Sequence, residues 1–161
     1  MLDIDIKDEK GKFKLRVSGV IIKDKKLLVH ESKRYVGFCL PGGHVELGES
    51  TIDAIKREMN EELKINVEIE NLFCVNENIY DFDGKVNQEI NYYYTLKPLE
   101  ELPNEKFIVN EIDKGIPKEH VFHWIDINDL EAKNFKPLHI AKLLEEDENS
   151  SNNVILTDYR N

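Results

Sequence analysis

The sequence predicts an α/β domain in which helices pack on a layered set of mixed β-strands. Most of the chain consists of short apolar runs typical of strands, only two segments show helical spacing, and strands and helices do not alternate regularly. A length of 161 residues suits one domain. We therefore expect a single domain over residues 1–147, followed by a polar C-terminal tail over residues 148–161.

The N-terminal part of the chain has the pattern of β-strands. Residues 13–22 are rich in Val and Ile, and residues 27–29 follow a polar break, so these two segments predict a hairpin. A third apolar run, residues 35–40, is followed by Gly42 and Gly43. Because glycine has no side chain, a ligand can approach the main chain closely at this point.

A helix is predicted after this turn. Apolar residues recur at helical spacing at Ile52, Ile55, Met59 and Leu63. Ser50 is a suitable N-cap, and Asp53 follows three residues later. We expect a helix over residues 51–64.

The pattern then returns to strands. Residues 67–76 and 87–96 flank Asp83-Gly84, a dipeptide typical of tight turns, so they predict a second hairpin. Residues 98–118 contain three prolines, a glycine and many acidic residues, which predicts a long irregular excursion.

The C-terminal part predicts a strand over residues 121–127 and a short amphipathic helix over residues 137–146. Residues 148–153 are polar. Residues 154–156 are apolar and are expected to dock on the domain, at a place that the sequence does not indicate.

Composition limits the function classes. Asp and Glu number 32 against 22 Lys and Arg, a net charge of −10, which argues against nucleic-acid binding because phosphates need cationic neutralisation. An acidic protein that handles phosphates needs a cation, for which a divalent metal is the obvious candidate. Two cysteines, Cys39 and Cys74, do not suggest a disulfide framework. The start lacks a signal-peptide pattern and no apolar run reaches a membrane span, so we expect a cytoplasmic protein.

The predicted helix concentrates acidic residues on one side. On a helical wheel Glu58, Glu61 and Glu62 fall within an arc of about 100°, away from the apolar stripe. Such like-charged neighbours destabilise a helix by a few tenths of a kcal/mol per pair, whereas an oxygen-rich cluster suits Mg²⁺ or Mn²⁺. In a chain with 34% charged residues, a solvated surface is the alternative interpretation.

The spacing of three further residues favours the metal site. Arg57 lies four residues before Glu61 and next to Glu58, where it can orient a carboxylate. Glu49, at the entrance of the helix, can hold the guanidinium from the other side. Gly43 lies in a turn whose carbonyl can face the same ion.

These residues together resemble the Nudix box, G-x(5)-E-x(7)-R-E-U-x-E-E-x-G-U, where U is aliphatic. The resemblance runs from Gly43 to Ile65 and every acidic and arginine position is filled. One position departs from the pattern, since Lys64 stands where the family usually has Gly. That glycine ends the helix in a left-handed turn, so we expect altered helix termination and no loss of activity. The segments 38–46 and 123–130 also resemble the family.

The resemblance implies an α/β/α sandwich with a mixed β-sheet. It also implies hydrolysis of the pyrophosphate in a nucleoside diphosphate linked to another moiety, with Mg²⁺ as cofactor and Mn²⁺ as a substitute. Carried over, Glu58, Glu61 and Glu62 are catalytic and hold the metal, together with the Gly43 carbonyl. Arg57 takes part in the catalytic group by orienting these carboxylates, and Glu49 orients Arg57 in turn.

The general base and the substrate contacts stay open at this stage. The base is either a box glutamate or a later acid, for which Glu119 is the first candidate, ahead of Glu111 and Glu105; a solvated loop acid is the alternative for Glu119.

The candidates for binding the substrate are Arg16 and Arg34, at a phosphate, and Tyr92 and Tyr94, stacking on a base. Solvation and packing are the alternative roles of these four residues.

Other readings of the chain are a Nudix-fold module that senses a nucleotide without cleaving it, and a hydrolase of RNA ends. The filled box disfavours the sensing module, and the net charge disfavours the hydrolase of RNA ends.

Homodimers are common in the family, so a homodimer is an expectation. No paired metal spacing links the remaining histidines, which are expected to be surface or core residues: His30, His120, His123 and His139.

Overall fold

The computed structural model describes residues 2–113, 115–147 and 153–158. The strands are β1 (Asp5–Lys7), β2 (Gly11–Val20), β3 (Ile22–Lys23), β4 (Lys26–Glu31), β5 (Phe38–Cys39), β6 (Gly42–His44), β7 (Val67–Phe82), β8 (Lys85–Pro98), β9 (Phe107–Asp113), β10 (Ile116–Asp126) and β11 (Asn153–Asp158). The helices are α1 (Thr51–Leu63), between β6 and β7, and α2 (Leu138–Glu146), between β10 and β11.

Within the described residues, the strands form two sheets. A mixed sheet has the order β1-β2-β8-β7-β11, with β6 pairing alongside β2. Its β2–β8 and β7–β11 pairs are parallel and its other pairs are antiparallel. The second sheet is antiparallel, with the order β3-β4-β10-β9 and β5 pairing with β4.

Apolar side chains cover both faces of the sheets. Side chains alternate along a strand, so the neighbours Tyr93 and Tyr94 of β8 point to opposite faces. Tyr93 packs in a cluster with Leu144 of α2, whereas Tyr94 packs in another cluster with Met59 of α1. The helices therefore lie on opposite sides of the strands, which confirms the expected α/β/α arrangement with a mixed sheet.

The predicted hairpin between residues 13–22 and 27–29 is largely wrong. Strand β2 pairs in parallel with β8, and only the two residues of β3 turn back onto β4. The turn between them is formed by Asp24 and Lys25, both with positive φ, at 52° and 60°. Val17 and Val20 are fully buried in different clusters, so β2 is covered on both faces, as a central strand is. Of the predicted run 35–40, only β5 is a strand.

The second predicted hairpin is confirmed and is longer than expected. Strands β7 and β8 pair in antiparallel fashion from Val67 opposite Pro98 to Phe82 opposite Lys85. Asp83 and Gly84 form the turn, with φ of 53° and 69°. This long hairpin supplies the centre of the mixed sheet.

The predicted irregular excursion over residues 98–118 is wrong, because it contains β9 and the start of β10, which pair in antiparallel fashion. The alternation in β9 is blurred because apolar residues lie on both faces, with Phe107 and Val109 on the inner one, and this hid the strand. Its outer face carries Ile108 and Ile112, which are exposed, while Glu111 lies on the inner, less exposed face. The helix predicted over residues 137–146 is confirmed as α2.

Residues 153–158, which the sequence assigned to the tail, form β11 and pair in parallel with β7. Ile155 packs against the cluster of α2, whereas Val154 and Leu156 are exposed. Residues 148–152 lie outside the described residues. Neither described helix is both long and apolar enough to cross a membrane.

Candidate active site

Helix α1 is held against the sheets by its apolar side. Ala54, Ile55 and Met59 have no exposed surface and pack in the same cluster as Tyr94. At the first turn the Asp53 amide donates to the Ser50 hydroxyl at 3.1 Å, as predicted for an N-cap. With its apolar side fixed, the helix presents its carboxylates to Gly42 and Gly43 of β6.

The helix ends at Lys64 in a left-handed conformation, with φ of 58° and ψ of 33°. The expectation of an altered helix end is therefore wrong, because lysine adopts the turn that glycine usually makes. The Lys64 amide donates to the Asn60 carbonyl at 3.1 Å, and its Nζ donates to the Glu61 carbonyl at 2.8 Å. These bonds satisfy carbonyls of the last turn.

Arg57 connects α1 to the segment before it. Its Nε and Nη2 donate to the two carboxylate oxygens of Glu49, at 2.9 and 3.0 Å. Nη2 also donates to the His44 carbonyl at 2.9 Å, and the Glu46 amide donates to Glu49 at 3.1 Å. The hydrogen bonds from Arg57 hold the pKa of Glu49 below its ordinary value. Glu49 and Arg57 thus have the mutual orientation that the sequence predicts.

The other edge of the same guanidinium holds two helix carboxylates. Nη1 of Arg57 donates to Glu58 and to Glu61, each at 2.9 Å. Glu58 is mostly buried, and this burial raises its pKa to about 7, although the charge of Arg57 opposes the shift. Glu61 is more exposed, at 45% of its side-chain surface.

Gly43 lies directly against Glu58. A Cβ atom at this glycine would lie 2.3 Å from Oε1 of Glu58, and its φ is not in the left-handed region. The glycine is therefore required by the close approach of this carboxylate. The sequence analysis expected a ligand at this point and placed Gly43 in a turn, whereas Gly43 lies in β6.

Glu62 occupies the inner side of the site. The Gly42 amide donates to its Oε2 at 2.9 Å, and its Oε1 lies 3.6 Å from Nδ1 of His120. Burial, together with the charge of Glu58, raises the pKa of Glu62 to about 8. A buried carboxylate beside other carboxylates is in an environment that favours a bound cation.

Strands β4 and β10 supply two histidines beside Glu62 that the sequence analysis did not place there. Nδ1 of His120 lies 3.2 Å from Nε2 of His30, and its Nε2 lies 2.7 Å from the Glu111 carboxylate. Burial lowers the pKa of His120, and it lowers that of His30 to about 4. The two histidines are 90 residues apart, so no local spacing could reveal them.

The structure does not bring Glu119 to the carboxylates. Glu119 is exposed on β10 next to the buried His120, so alternation directs it to the opposite face. Glu105 is exposed in the segment before β9. Of the three later acids weighed as bases, Glu111 is the one placed near the helix carboxylates, and its charge acts on Glu62.

The four predicted substrate residues do not lie together around the helix carboxylates. The charge of Arg16 acts on Glu58 and Glu62, while Arg34 is exposed between β4 and β5. Stacking of a base on Tyr94 is a wrong prediction, because Tyr94 is buried and its hydroxyl bonds Thr51 at 2.7 Å. Tyr92 packs partly buried against the same cluster.

On the mixed sheet, the predicted Arg16 lies in a polar row with two asparagines that the sequence analysis missed. Arg16, Asn91 and Asn76 are register partners across β2, β8 and β7. Asn76 is 1% and Asn91 5% exposed, and their Oδ1 atoms and the Nε of Arg16 have no hydrogen-bond partner among the described residues. Asn91 donates to Ser18 at 3.0 Å. Buried polar atoms of this kind require a partner, which an ordered water, an ion or a ligand can supply.

Comparison with known proteins agrees with this geometry. The model of the NUDIX domain family matches residues 12–146, most of the chain. The chain belongs to the NUDIX domain family. It is an enzyme of the Nudix pyrophosphohydrolase class, with each acidic and arginine position of the box filled.

Solved Nudix structures share the fold. A MutT protein from Bacillus halodurans is 16% identical, with a TM-score of 0.59 and 80% of each chain covered. A NUDIX hydrolase from Nitrosomonas europaea is 22% identical, with a TM-score of 0.57, covering 84% of this chain and 88% of its own. An ADP-ribose pyrophosphatase from Streptococcus suis is 18% identical, with a TM-score of 0.54, covering 88% and 98%. No curated protein matches significantly.

Proposed function

We propose that this Nudix enzyme hydrolyses the pyrophosphate of a nucleoside diphosphate linked to another moiety, in an Mg²⁺-dependent reaction. The observation that carries the proposal is the convergence of Glu58, Glu61 and Glu62 on one side of α1, with Arg57 bonded to two of them at 2.9 Å. Such a group, held in place before any ligand arrives, suits positioning and charge stabilisation in phosphoryl transfer.

The donor chemistry fits Mg²⁺, with Mn²⁺ as a substitute. The helix offers carboxylate oxygens, to which the Gly43 carbonyl adds a further oxygen, and hard cations prefer such ligands. Burial raises the pKa of Glu58 and Glu62, so a further positive charge beside them favours their ionised forms. Bound Mg²⁺ supplies that charge, neutralises part of the diphosphate charge and lowers the pKa of a coordinated water.

Arg57 and Glu49 position the carboxylates and do not react. The guanidinium is planar and is held by Glu49 on one edge, so its Nη1 points at Glu58 and Glu61 from a fixed direction. Fixing these side chains before binding reduces the entropy that substrate binding must otherwise overcome.

We assign the proton-accepting role to Glu61. Glu119 faces away from the site, and the Glu111 carboxylate is bonded to His120. Among Glu58, Glu61 and Glu62, Glu61 has the most exposed side chain, so a water molecule can reach it. A base must lie within hydrogen-bond reach of the water that it deprotonates.

The polar row supports a nucleoside as part of the substrate. The unpartnered Oδ1 atoms of Asn76 and Asn91 can accept hydrogen bonds from N–H groups of a base, and Arg16 can contact a phosphate near Glu58. The ADP-ribose pyrophosphatase among the structural neighbours acts on a compound of this class, which supports the same assignment.

The proposal is tested by a substrate screen in which chromatography detects the nucleoside monophosphate and the second phosphorylated product. Nucleoside triphosphates, ADP-ribose, nucleotide sugars and dinucleoside polyphosphates are incubated with the parent and with Glu61→Gln in Mg²⁺. Turnover of at least one compound by the parent, abolished by EDTA and restored by Mg²⁺, is the expected result. If the parent binds these compounds without hydrolysing them, the protein senses a nucleotide and is not a hydrolase of these compounds.

A further inference from the structure

Three side chains from three different elements meet on the inner side of the site. His30 of β4, Glu62 of α1 and His120 of β10 each offer one ligand atom, and these atoms lie within 4.8 Å of one another. Nδ1 of His120 is 3.2 Å from Nε2 of His30 and 3.6 Å from Oε1 of Glu62. Two ligands bonded tetrahedrally to one metal at about 2.0–2.1 Å lie about 3.3–3.4 Å apart. The two observed separations fall on either side of that value.

The hydrogen bond to Glu111 sets the proton of His120. A carboxylate accepts and does not donate, so the contact of 2.7 Å places the hydrogen of His120 on Nε2. Nδ1 then carries a lone pair and lies 3.6 Å from Oε1 of Glu62, a second electron-rich atom. Metal-binding histidines show the same arrangement, in which the other ring nitrogen donates to a carboxylate.

The rings are held in these positions by packing. The ring of His30 stacks on Phe122 at 5.1 Å, and Phe122 stacks on Phe107 at 5.2 Å. His30 and Phe122 are register partners of β4 and β10, and Phe122 is fully buried. Ligand atoms fixed in this way need little reorganisation to bind an ion.

We infer that His30, His120 and Glu62 form a binding site for a transition-metal ion such as Zn²⁺ or Co²⁺, apart from the positions where the helix carboxylates take Mg²⁺. Two imidazole nitrogens and one carboxylate oxygen suit these ions, whereas Mg²⁺ prefers oxygen ligands and water. Three protein ligands leave a coordination position for water or a phosphate oxygen. Glu62 belongs to both groups, since its Oε2 accepts from Gly42 and its Oε1 faces His120.

The test is a titration of the full-length, chelator-treated protein with Co²⁺ in excess Mg²⁺, followed by visible absorption and calorimetry. The parent is expected to bind one Co²⁺ with the intense absorption of low-coordinate cobalt bound to nitrogen. His30→Ala and His120→Ala are expected to lose that signal. His123→Ala is the matched control, because His123 lies on the opposite face of β10 and bonds Glu31 at 2.6 Å.

Glu111→Gln separates a metal site from a simple pair of hydrogen-bonded histidines. Loss of the carboxylate that orients His120 is expected to weaken Co²⁺ binding about 10–100-fold. Equal stoichiometry, affinity and spectrum in the parent, His30→Ala and His120→Ala would overturn the inference.

Crystals of the parent soaked in Zn²⁺ provide a measurement that does not depend on the folding of a variant. An anomalous peak between His30 and His120 supports the site, and a peak only beside Glu58 and Glu61 contradicts it. Neither experiment uses substrate turnover, so a failure of the proposed function and a failure of this site are distinguishable.

Discussion

The guanidinium of Arg57 binds the carboxylate of Glu49 through two hydrogen bonds, of 2.9 and 3.0 Å. Glu49 precedes the helix and Arg57 lies inside it, so the pair fixes the loop to the helix. Because the same guanidinium also bonds Glu58 and Glu61, the pair determines where those carboxylates stand.

Arg57→Lys is expected to lower kcat about 10–100-fold and the free energy of unfolding by roughly 2–3 kcal/mol. Lysine keeps the charge but has no planar fork, so it cannot hold the three carboxylates together. Steady-state kinetics and urea unfolding measure the two effects. Lys56→Ala, at the exposed neighbouring position, is the control and should change neither. Parent-like kinetics in Arg57→Lys would contradict the positioning role.

Glu49→Gln is expected to destabilise the protein by roughly 2 kcal/mol near pH 7 and by less near pH 3.5. The pKa of Glu49 is lowered in the folded state by Arg57. A lowered pKa contributes stability that is present above the unfolded value, about 4.3, and is lost as the pH falls through the folded value. Urea unfolding at both pH values measures the difference. If Glu49→Gln costs the same stability at each pH, the ion pair is not its source.

Glu61→Gln is expected to lower kcat by about 10²–10⁴-fold with little loss of thermal stability. The substitution removes a proton acceptor and relieves repulsion with Glu58. Glu119→Gln is the matched control, because Glu119 is exposed and directed away from the site, and it should keep parental kinetics. A large loss in Glu119→Gln with parental Glu61→Gln would reverse the assignment of the base.

Gly43→Ala is expected to abolish most activity while the protein stays folded. The added Cβ would lie 2.3 Å from Oε1 of Glu58, so the carboxylate must move out of place. Gly48→Asn is the control, because a Cβ at Gly48 meets nothing within 4 Å, so the strain at its φ of 87° lowers stability without displacing a carboxylate. Kinetics together with circular dichroism compare the two variants. Full activity in Gly43→Ala would show that the close contact is not required.

Lys64→Gly is expected to raise the free energy of unfolding by up to about 1 kcal/mol and to leave kcat unchanged. A non-glycine residue in the left-handed region is strained, although glycine also gains entropy in the unfolded chain. Urea unfolding of the parent, Lys64→Gly and Lys64→Ala gives the comparison. Lys64→Ala keeps the Cβ and should show no gain, so equal gains in both variants would exclude backbone strain as the cause.

The part of the site that lies within one segment was predictable from sequence. Ser50, Arg57 and the helix carboxylates are linked by helical spacing, which fixes their relative directions before any tertiary contact forms. His30 and His120 were not predictable, because they meet only through the pairing of β4 with β10. Strand β9 was missed for a related reason. Its inner face carries the charged Glu111, whose partner His120 comes from another strand and cannot be identified from local sequence.

The turn at Lys64 shows the limit of a residue-type rule. Glycine is favoured there on energetic grounds, but the geometry is imposed by the helix and by the strand that follows. The homodimer expected from the resemblance stays a prediction, which light scattering in solution would test.

Strand β11 has a practical consequence for anyone shortening this protein. It hydrogen-bonds along β7 from Cys74 to Ile79, so a chain cut after residue 147 would leave that stretch of amide and carbonyl groups open to solvent. Unpaired strand edges can form hydrogen bonds with strands of other molecules. The truncated form should therefore precipitate or self-associate where the intact form does not. Residues 153–158 thus replace part of the long edge of β7 with a short edge strand of six residues, which is less prone to pair with another chain.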